Sequence, residues 1–568
     1  MALSKTKIML AKESMQLGEN GNPEFTSRGV GDQRVVLFNQ LVRDQKETVT
    51  MLDAAIEEAG DDDLYIQDLV VLTFQTRNCR GGKGERALFY SLYLRLVHQW
   101  PDLMLDLLDL IPEFGSWSDL FRLLMFAKST IISKELYCAL MSHCVNVIVS
   151  QFKKDTFEID VSREECRTPC ISLLAKWMPR EGLAVDKRIH IVKLLATAMG
   201  LSPTEYRKKV SALTAQLDIA EVKMCGKRYR EINFNSTPSV CLHRFKSAFL
   251  NCKSLDDPDR MQARENLLHA LKTGVKGGQL FPHELTKKVE KGRKSVEADL
   301  VIDAQWKSLV EDVKRQISEF ADGDKSINLG NLVPLVDVSA SMRGTSMDVA
   351  VALGILVGEL SSNCFTRSFL TFHSTPEWVN LNECKGLRQK VIKTLNAPWG
   401  GSTNFFKAME LILARCVANK LKPEQVPDMI VFSDMQFDQA SSDGYVAENL
   451  QELFAKQGEI ACGMPYNVPT ITYWNLRATS GHVSQDEAEG VRMISGYSPS
   501  LLKLLLSGQL PKDEFLQVID KNTGKVETVT VAPTPYSTFR AAVDDEAYDV
   551  VRDRINSLKW FTPILKVN

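Results

Sequence analysis

Three oxygen-bearing side chains stand at alternate positions directly after a short apolar run in the C-terminal half of the 568-residue chain. Asp337, Ser339 and Ser341 follow Leu-Val-Pro-Leu-Val, and this run predicts a buried strand. Because alternate residues at a strand end point the same way, one carboxylate and two hydroxyls are expected to converge. Hard oxygen ligands of this kind suit Mg²⁺ or Mn²⁺ rather than soft metals.

Two later segments offer further oxygen ligands, and the separations leave room for a strand and a helix between successive groups. Thr403 ends Gly-Gly-Ser-Thr in a loop that opens a predicted helix, and Asp434 ends Val-Phe-Ser-Asp at the close of another apolar strand. The three groups together predict a divalent-cation site. The alternative is a metal-free loop in which Asp337 caps hydroxyls and backbone amides. Catalysis is not expected, because no His or Lys is recognisably placed to complete an active site.

The elements around these residues alternate between strands and helices. Short apolar runs predict strands at 332–336, 368–372, 429–432 and 470–474. Helical periodicity between them predicts helices at 347–361, 385–396, 404–420 and 446–458. Such alternation is typical of a parallel sheet with helices on both faces, which binds ligands at the carboxyl ends of its strands.

The N-terminal half has a different pattern. Residues 1–30 are polar and rich in Gly and Asn, which predicts a flexible arm. From about residue 33 to 319, apolar residues recur at three- and four-residue spacing, and Ser202 is placed to cap a helix that Pro203 opens. Helices joined by short turns predict a HEAT-like helical-repeat module, although no clean repeat period is visible.

The predicted fold is therefore multidomain, with an all-α module before an α/β domain. After residue 511, two alternating runs flank Asn522-Thr-Gly524 and predict a hairpin, followed by a helix near 544–558. The predicted domains are a flexible arm at 1–30, a helical module at 31–322, an α/β domain at 323–510, and a C-terminal hairpin and helix at 511–568 that pack on the preceding domains.

Composition narrows the class of protein. The net charge is -2, and the N-terminus has no apolar core of signal-peptide length. No segment approaches the length of a membrane span. The 12 cysteines follow no framework, and Cys166 and Cys170 lack a second ligand pair at zinc-site spacing. We expect a cytoplasmic protein, or alternatively a nuclear one, with reduced thiols.

A glycine-rich basic segment, Thr76 to Arg86 (TRNCRGGKGER), invites a phosphate-loop interpretation, but the four-residue spacer of that motif is missing and no Ser or Thr follows the lysine. Basic residues also outnumber acidic ones between residues 151 and 300. If RNA binds, the candidate contacts are Arg77, Arg80, Lys83, Arg86, Lys227, Arg228, Arg230, His243, Arg244 and Lys246. A solvated helical surface stays the alternative for each cluster.

The oxygen-ligand set resembles the metal-ion-dependent adhesion site (MIDAS) of von Willebrand A-type domains. The resemblance implies that Ser339 and Ser341 ligate the cation directly, with Thr403 joining them in a high-affinity state. It implies that Asp337 and Asp434 act mainly through water, and that a partner's acidic oxygen fills an open position. Met435 departs from the pattern, since many such domains have Gly after the last Asp.

A second resemblance covers roughly residues 30–560. The segments TRNCRGGKGERALFY, FGSWSDLFRLL and SLLAKWMPRE, with the C-terminal α/β region, are similar to an uncharacterised plant, fungal and giant-virus family, domain of unknown function 2828. More distantly, the domain order resembles the Ro (TROVE-module) RNA-binding proteins. This resemblance implies a non-enzymatic scaffold for structured or misfolded RNA. The alternative is a metal-dependent protein–protein adhesion or co-chaperone component without RNA binding.

Overall fold

The protein is described by a computed structural model at residues 15–17, 23–26, 31–130, 132–251, 256–291, 296–320, 332–371, 375–398, 405–435, 444–477, 481–482, 490–506, 515–519, 526–530 and 533–558. Two compact units divide the chain. The sheet unit comprises Met1–Glu47, Phe234–Cys252 and Arg264–Asp544. The helical unit comprises Thr48–Asn233, Lys253–Ala263 and Asp545–Asn568.

The helical unit is built from α-helices and short 3₁₀ turns. Its α-helices are Thr48–Ala59, Asp63–Arg77, Ala87–Gln99, Pro101–Asp106, Ile111–Phe114, Ser118–Ser129, Lys134–Glu164, Leu174–Trp177, Ala184–Ile189, Ile191–Ala198, Pro203–Gln216, Ala220–Cys225 and Asp549–Ser557, and Pro258–Thr273 is divided between the units. Its 3₁₀ turns are Leu107–Leu110, Tyr229–Glu231 and Glu546–Tyr548. The prediction for Ser202 is confirmed, because its hydroxyl accepts from the backbone of Glu205 in a capping box.

The sheet unit contains all the described strands. These are β1 (Met15–Leu17), β2 (Pro23–Thr26), β3 (Leu332–Val336), β4 (Ser368–Thr371), β5 (Trp378–Asn380), β6 (Asp428–Ser433), β7 (Ile471–Asn475), β8 (Gly481–His482), β9 (Val491–Ser495), β10 (Phe515–Ile519) and β11 (Val526–Thr530). Its α-helices are Gln33–Gln40, Ser239–Leu250, Pro282–Lys291, Val296–Phe320, Thr345–Leu360, Gly386–Leu395, Phe405–Ala418, Gly444–Cys462 and Pro535–Val543, and its 3₁₀ turns are Ala340–Met342, Asn363–Phe365, Pro423–Gln425 and Pro499–Leu506.

Six strands form the central sheet in the order β5-β4-β3-β6-β7-β9. β5 runs antiparallel to β4, and the other neighbours are parallel. Strands β3 and β4 are buried at every residue, as expected for strands covered on both faces. The helix Thr345–Leu360 packs closely on β3, since a Cβ added at Gly354 would meet the Val336 side chain at 2.3 Å. The four predicted strands and four predicted helices are confirmed, and the mostly helical region before the sheet is also confirmed.

Helices that precede the sheet in sequence are part of its unit. Trp306, on the helix Val296–Phe320, donates from Nε1 to the Glu359 carboxylate at 3.0 Å, and Glu359 also pairs with Lys390. The compact units therefore group residues differently from the linear order of the chain, and the domain boundary near residue 322 stays a prediction.

Two smaller sheets complete the strand inventory of the described residues. The predicted hairpin is confirmed, because β10 and β11 pair antiparallel from Phe515↔Thr530 to Ile519↔Val526, while its turn at 522–524 lies outside the described residues. Within the segment predicted as a flexible arm, β1 and β2 form strands, and β2 also pairs with β8.

Candidate functional site

Two carboxylates leave neighbouring strands of the central sheet at the same edge. Val336 ends β3 and pairs in register with Phe432 of β6, and the Asp337 amide donates to the Phe432 carbonyl at 3.0 Å. Asp337 and Asp434, which follow these two strands, are each 1% exposed. From β3 the chain first builds β4 and β5 on one side and then β6, β7 and β9 on the other. The two aspartates therefore mark the point where the strand order reverses, where doubly wound sheets bind their ligands.

Uncharged donors surround the carboxylate of Asp337. Its Oδ1 accepts from the Ser339 backbone amide at 2.8 Å, and its Oδ2 accepts from the Ser433 hydroxyl at 2.7 Å. Burial raises the pKa of Asp337 to about 6, and the charge of Asp434 acts in the same direction, although the hydrogen bonds oppose it. A buried carboxylate whose charged form is disfavoured in this way is stabilised by a nearby cation.

The two serines lie nearer to solvent than the carboxylates. The Ser339 and Ser341 hydroxyl oxygens are 2.9 Å apart, with Ser339 half-buried and Ser341 exposed. The loop that carries the serines contains a short 3₁₀ turn, Ala340–Met342. The side chain of Met342 is fully buried and anchors this turn. Asp337 therefore contacts Ser339 through the backbone amide, and Ser339 contacts Ser341 through the hydroxyl groups, while the predicted convergence of all three side chains on a cation stays a prediction.

A cationic side chain at the end of β7 also reaches this edge. Ser433 pairs in register with Asn475, and the ladder continues through Leu476, whose amide donates to the Ser433 carbonyl at 3.0 Å. The guanidinium of Arg477 then lies 3.5 Å from the Asp434 carboxylate and is 37% exposed. Sequence reasoning missed Arg477, although a basic residue just past an apolar strand was a usable signal.

Met435, the residue that departs from the MIDAS pattern, has a backbone φ of 64° and is 5% exposed. This left-handed conformation is the one that glycine adopts without penalty, and it costs other residues roughly 1–2 kcal/mol. Met435 offsets the strain by packing its side chain into the core beneath the sheet. The residue after Asp434 therefore adopts a backbone conformation that favours glycine although it is a methionine.

The potential metal ligands described at this edge are the carboxylates of Asp337 and Asp434 and the hydroxyls of Ser339 and Ser341. Oxygen ligands of this kind fit Mg²⁺ or Mn²⁺. The predicted third hydroxyl donor, Thr403, lies outside the described residues. Among the residues that are described, no three or more His, Cys, Asp or Glu side chains cluster as metal ligands.

The candidate RNA contacts are divided between the surface and the interior. The exposed residues are Arg80, Arg86, Lys227, Arg228, Arg230 and Arg244. His243 is half-buried, with its Nδ1 3.4 Å from the side-chain Oε1 of Gln305, while Lys246 is 9% exposed. The clusters at 77–86 and 227–230 belong to the helical unit, whereas 243–246 belongs to the sheet unit.

The glycine-rich basic segment holds part of its charge inside the helical unit. Arg77 donates to Asp119 from Nε at 3.0 Å and Nη2 at 2.6 Å, and the side chains are 3% and 0% exposed. The same carboxylate accepts from the Tyr90 hydroxyl and from Ser116. Lys83 is fully buried, and this burial holds its pKa well below the ordinary value. These residues stabilise the segment from within.

Taken together, the fold and this edge define a protein that joins a helical unit to a doubly wound α/β unit. Residues 128–318 match a family described as "Domain of unknown function (DUF2828)", and residues 331–543 match "Domain of unknown function (DUF7788)". "Uncharacterized protein L728" of Acanthamoeba polyphaga mimivirus is 29% identical over 531 residues, which cover 89% of this chain and 87% of the relative. The chain is thus similar to an uncharacterised family with a giant-virus representative.

No helix within the described ranges combines the length and apolarity needed to cross a bilayer.

Proposed function

We propose that the protein is a non-enzymatic binding scaffold whose sheet unit is a von Willebrand A-type module with a metal-dependent adhesion site. The observation that carries the proposal is the pair of buried carboxylates, Asp337 and Asp434, at adjacent strand ends where the strand order reverses. The alternating Ser339 and Ser341 add hydroxyls on the solvent side of these carboxylates.

In this proposal the residues have separate roles. Ser339, Ser341 and Thr403 would ligate Mg²⁺ or Mn²⁺ directly, and Asp337 and Asp434 would hold it through water while supplying negative charge. When bound, the cation supplies a Lewis-acidic position that an acidic oxygen of a partner fills. The hydrogen bonds from the Ser339 amide and the Ser433 hydroxyl hold the Asp337 carboxylate in place beneath the serines.

Mn²⁺ titration of the full chain, followed by calorimetry and electron paramagnetic resonance, tests the metal half of the proposal. We expect one Mn²⁺ per chain, and the variant Asp337→Ala should lose it. Asp544→Ala is the matched control, because Asp544 is an exposed carboxylate of the sheet unit that pairs with Arg540 and lies outside the candidate site. A folded wild-type chain that takes up no Mn²⁺ would refute the metal half.

The partner is tested by capture with immobilised protein in Mg²⁺ and in EDTA. A carboxylate-bearing protein partner should be retained in Mg²⁺, released by EDTA and absent with Asp337→Ala. A metal-dependent hydrolase would instead turn over a panel of phosphoesters and lose this activity with Asp434→Ala. Turnover of that kind would contradict the non-enzymatic part of the proposal.

RNA binding is a second candidate function, assigned to the helical unit as a HEAT-like, TROVE-like module. It is favoured by the exposed turn at Lys227, Arg228 and Arg230. Lys227 makes no ion pair within the described part of the chain, while Arg228 pairs with Glu231 and Arg230 lies 3.5 Å from Asp259. The turn thus retains cationic charge that can contact phosphates.

Gel-shift titration with a structured RNA at increasing salt tests this second candidate. Replacing Lys227, Arg228 and Arg230 by Gln should weaken binding and reduce its salt dependence, because fewer counterions are released. Replacing three exposed lysines elsewhere in the helical unit, Lys153, Lys154 and Lys208, is the control for net charge. Equal effects of the two triple variants would contradict a contact at this turn.

A further inference from the structure

The end of β7 contributes a charge to the candidate metal site from a third neighbouring strand. Asn475, the last residue of β7, pairs with Ser433, and its side-chain oxygen accepts from the Arg477 amide at 3.0 Å. Leu476, between them, is fully buried and holds the chain against the end of β6. The backbone before Arg477 is therefore fixed, and its side chain extends along the edge on which Asp434 lies.

The two aspartates of the site have different electrostatic surroundings. Asp434 lies with its Oδ2 3.5 Å from Arg477 Nη1, whereas Asp337 accepts from the neutral donors of Ser339 and Ser433. The guanidinium offsets part of the Asp434 charge, because the carboxylate is buried although the guanidinium is partly exposed. The cation-attracting charge of the site is thus concentrated on Asp337.

A divalent cation at this edge would meet the positive charge of Arg477. Like charges repel more strongly where burial lowers the effective dielectric, and Asp434 is only 1% exposed. Arg477 is itself 37% exposed, so its guanidinium has solvent to turn towards when a second cation approaches Asp434. The ion pair and a bound metal are therefore alternatives for the same carboxylate.

We propose that Arg477 is an internal competitor of the divalent cation, which lowers the affinity of the site and releases its guanidinium towards solvent when the metal binds. This inference rests on the proposed metal site and adds its regulation. Arg477 is a positioning residue for Asp434 rather than a ligand. A released guanidinium beside the cation would also favour an anionic partner group, because both would attract the same oxygen.

Mn²⁺ titration calorimetry of the full chain with Arg477→Gln tests the competition. We expect the dissociation constant to fall by about tenfold or more, because the variant removes the repelling charge and keeps a polar side chain. Arg477→Lys should bind Mn²⁺ close to the wild-type affinity, since it restores a cation. Arg388→Gln is the control. Arg388 lies near the start of the helix Gly386–Leu395, and its guanidinium pairs with the carboxylate of Asp299. The variant removes an equal charge from a different ion pair, and its affinity should match that of the wild type.

Thermal unfolding tests the competition between Arg477 and the cation independently of calorimetry. In EDTA, Arg477→Gln should unfold at a lower temperature than the wild type, because Asp434 loses its ion pair while remaining buried. Saturating Mn²⁺ should then raise the unfolding temperature of the variant more than that of the wild type. If Arg477→Gln does not fold, Arg477→Met provides the same removal of charge.

The outcomes separate this inference from the proposed function. If neither the wild type nor Arg477→Gln binds Mn²⁺ at millimolar concentration, the metal site itself is refuted. If the wild type binds and Arg477→Gln binds equally or more weakly, the competition is refuted and the metal site stands. Tighter binding by Arg388→Gln as well would also overturn the inference, since the effect would then follow net charge.

Discussion

Replacing Arg77 by Met should destabilise the helical unit by about 3 kcal/mol. The change leaves the fully buried Asp119 without its cation, and breaking a buried ion pair in this way costs roughly 3–5 kcal/mol. We expect a cost at the lower end of this range, because Asp119 still accepts hydrogen bonds from the Tyr90 hydroxyl at 2.6 Å and from the Ser116 amide at 2.8 Å. The long apolar stem of Met also refills most of the space that the arginine stem occupied.

Hydrogen–deuterium exchange of peptides from the helix Asp63–Arg77 measures this loss. A decrease of about 3 kcal/mol corresponds to exchange on the order of a hundredfold faster for the most protected amides. Arg80→Met is the matched control, because Arg80 belongs to the same glycine-rich basic segment but is exposed, and it should change stability by less than about 0.5 kcal/mol. A cost below about 1 kcal/mol for Arg77→Met, or equal costs for both variants, would refute the argument that Arg77 acts inside the unit.

Three further changes have defined outcomes. Burial beside two cations lowers the pKa of His283 from 6.5 to about 3, so the unfolded state takes up its proton first as pH falls. Stability should drop by about 2 kcal/mol between about pH 7.5 and 5, and unfolding of His283→Gln should lack this component; equal slopes would contradict it. Gly277→Ala places a Cβ 2.1 Å from the Gln305 carbonyl oxygen and should cost roughly 1–3 kcal/mol in chemical unfolding, whereas a neutral change would contradict the close packing. Tyr548→Phe removes the acceptor of Asn78 at 3.1 Å and should cost about 1 kcal/mol in the same assay; an unchanged midpoint would show the bond to be dispensable.

Hydrophobic patterning predicted most of the central sheet but missed two of its strands. β5 has only three residues, which is too short for periodicity to distinguish from a loop. β9 contains Arg492, which suggests a surface position although it is 2% exposed. Its charge is accommodated by Asp428, a carboxylate brought close by the fold and distant in sequence. A buried ion pair of this kind hides a core strand from any analysis based on the hydrophobicity of one segment.

The same difficulty affected the candidate RNA contacts. Arg77 and Lys83 are indistinguishable by residue type from Arg80 and Arg86, yet the first two are buried and the last two exposed. The helix from Asp63 turns Arg77 inward towards Asp119, and the backbone of the loop bonds back to the helix, with the Lys83 amide donating to the Gln75 carbonyl at 3.1 Å. Counting basic residues in a segment therefore overestimates the charge that a nucleic acid can contact.

The candidate metal site shows which information comes from local sequence and which from topology. The local sequence after β3 predicted that Asp337 and the two serines lie together, although these residues follow the strand in a loop that includes the 3₁₀ turn Ala340–Met342 rather than continuing it. The approach of Asp434 depends on β6 lying beside β3, which follows from the reversal of strand order. The approach of Arg477 depends in turn on β7 lying beside β6, and it places a cation where ligand spacing predicted only anions and hydroxyls. Metal affinity at such an edge is therefore a property of three adjacent strand ends, and a ligand motif read from sequence determines only part of it.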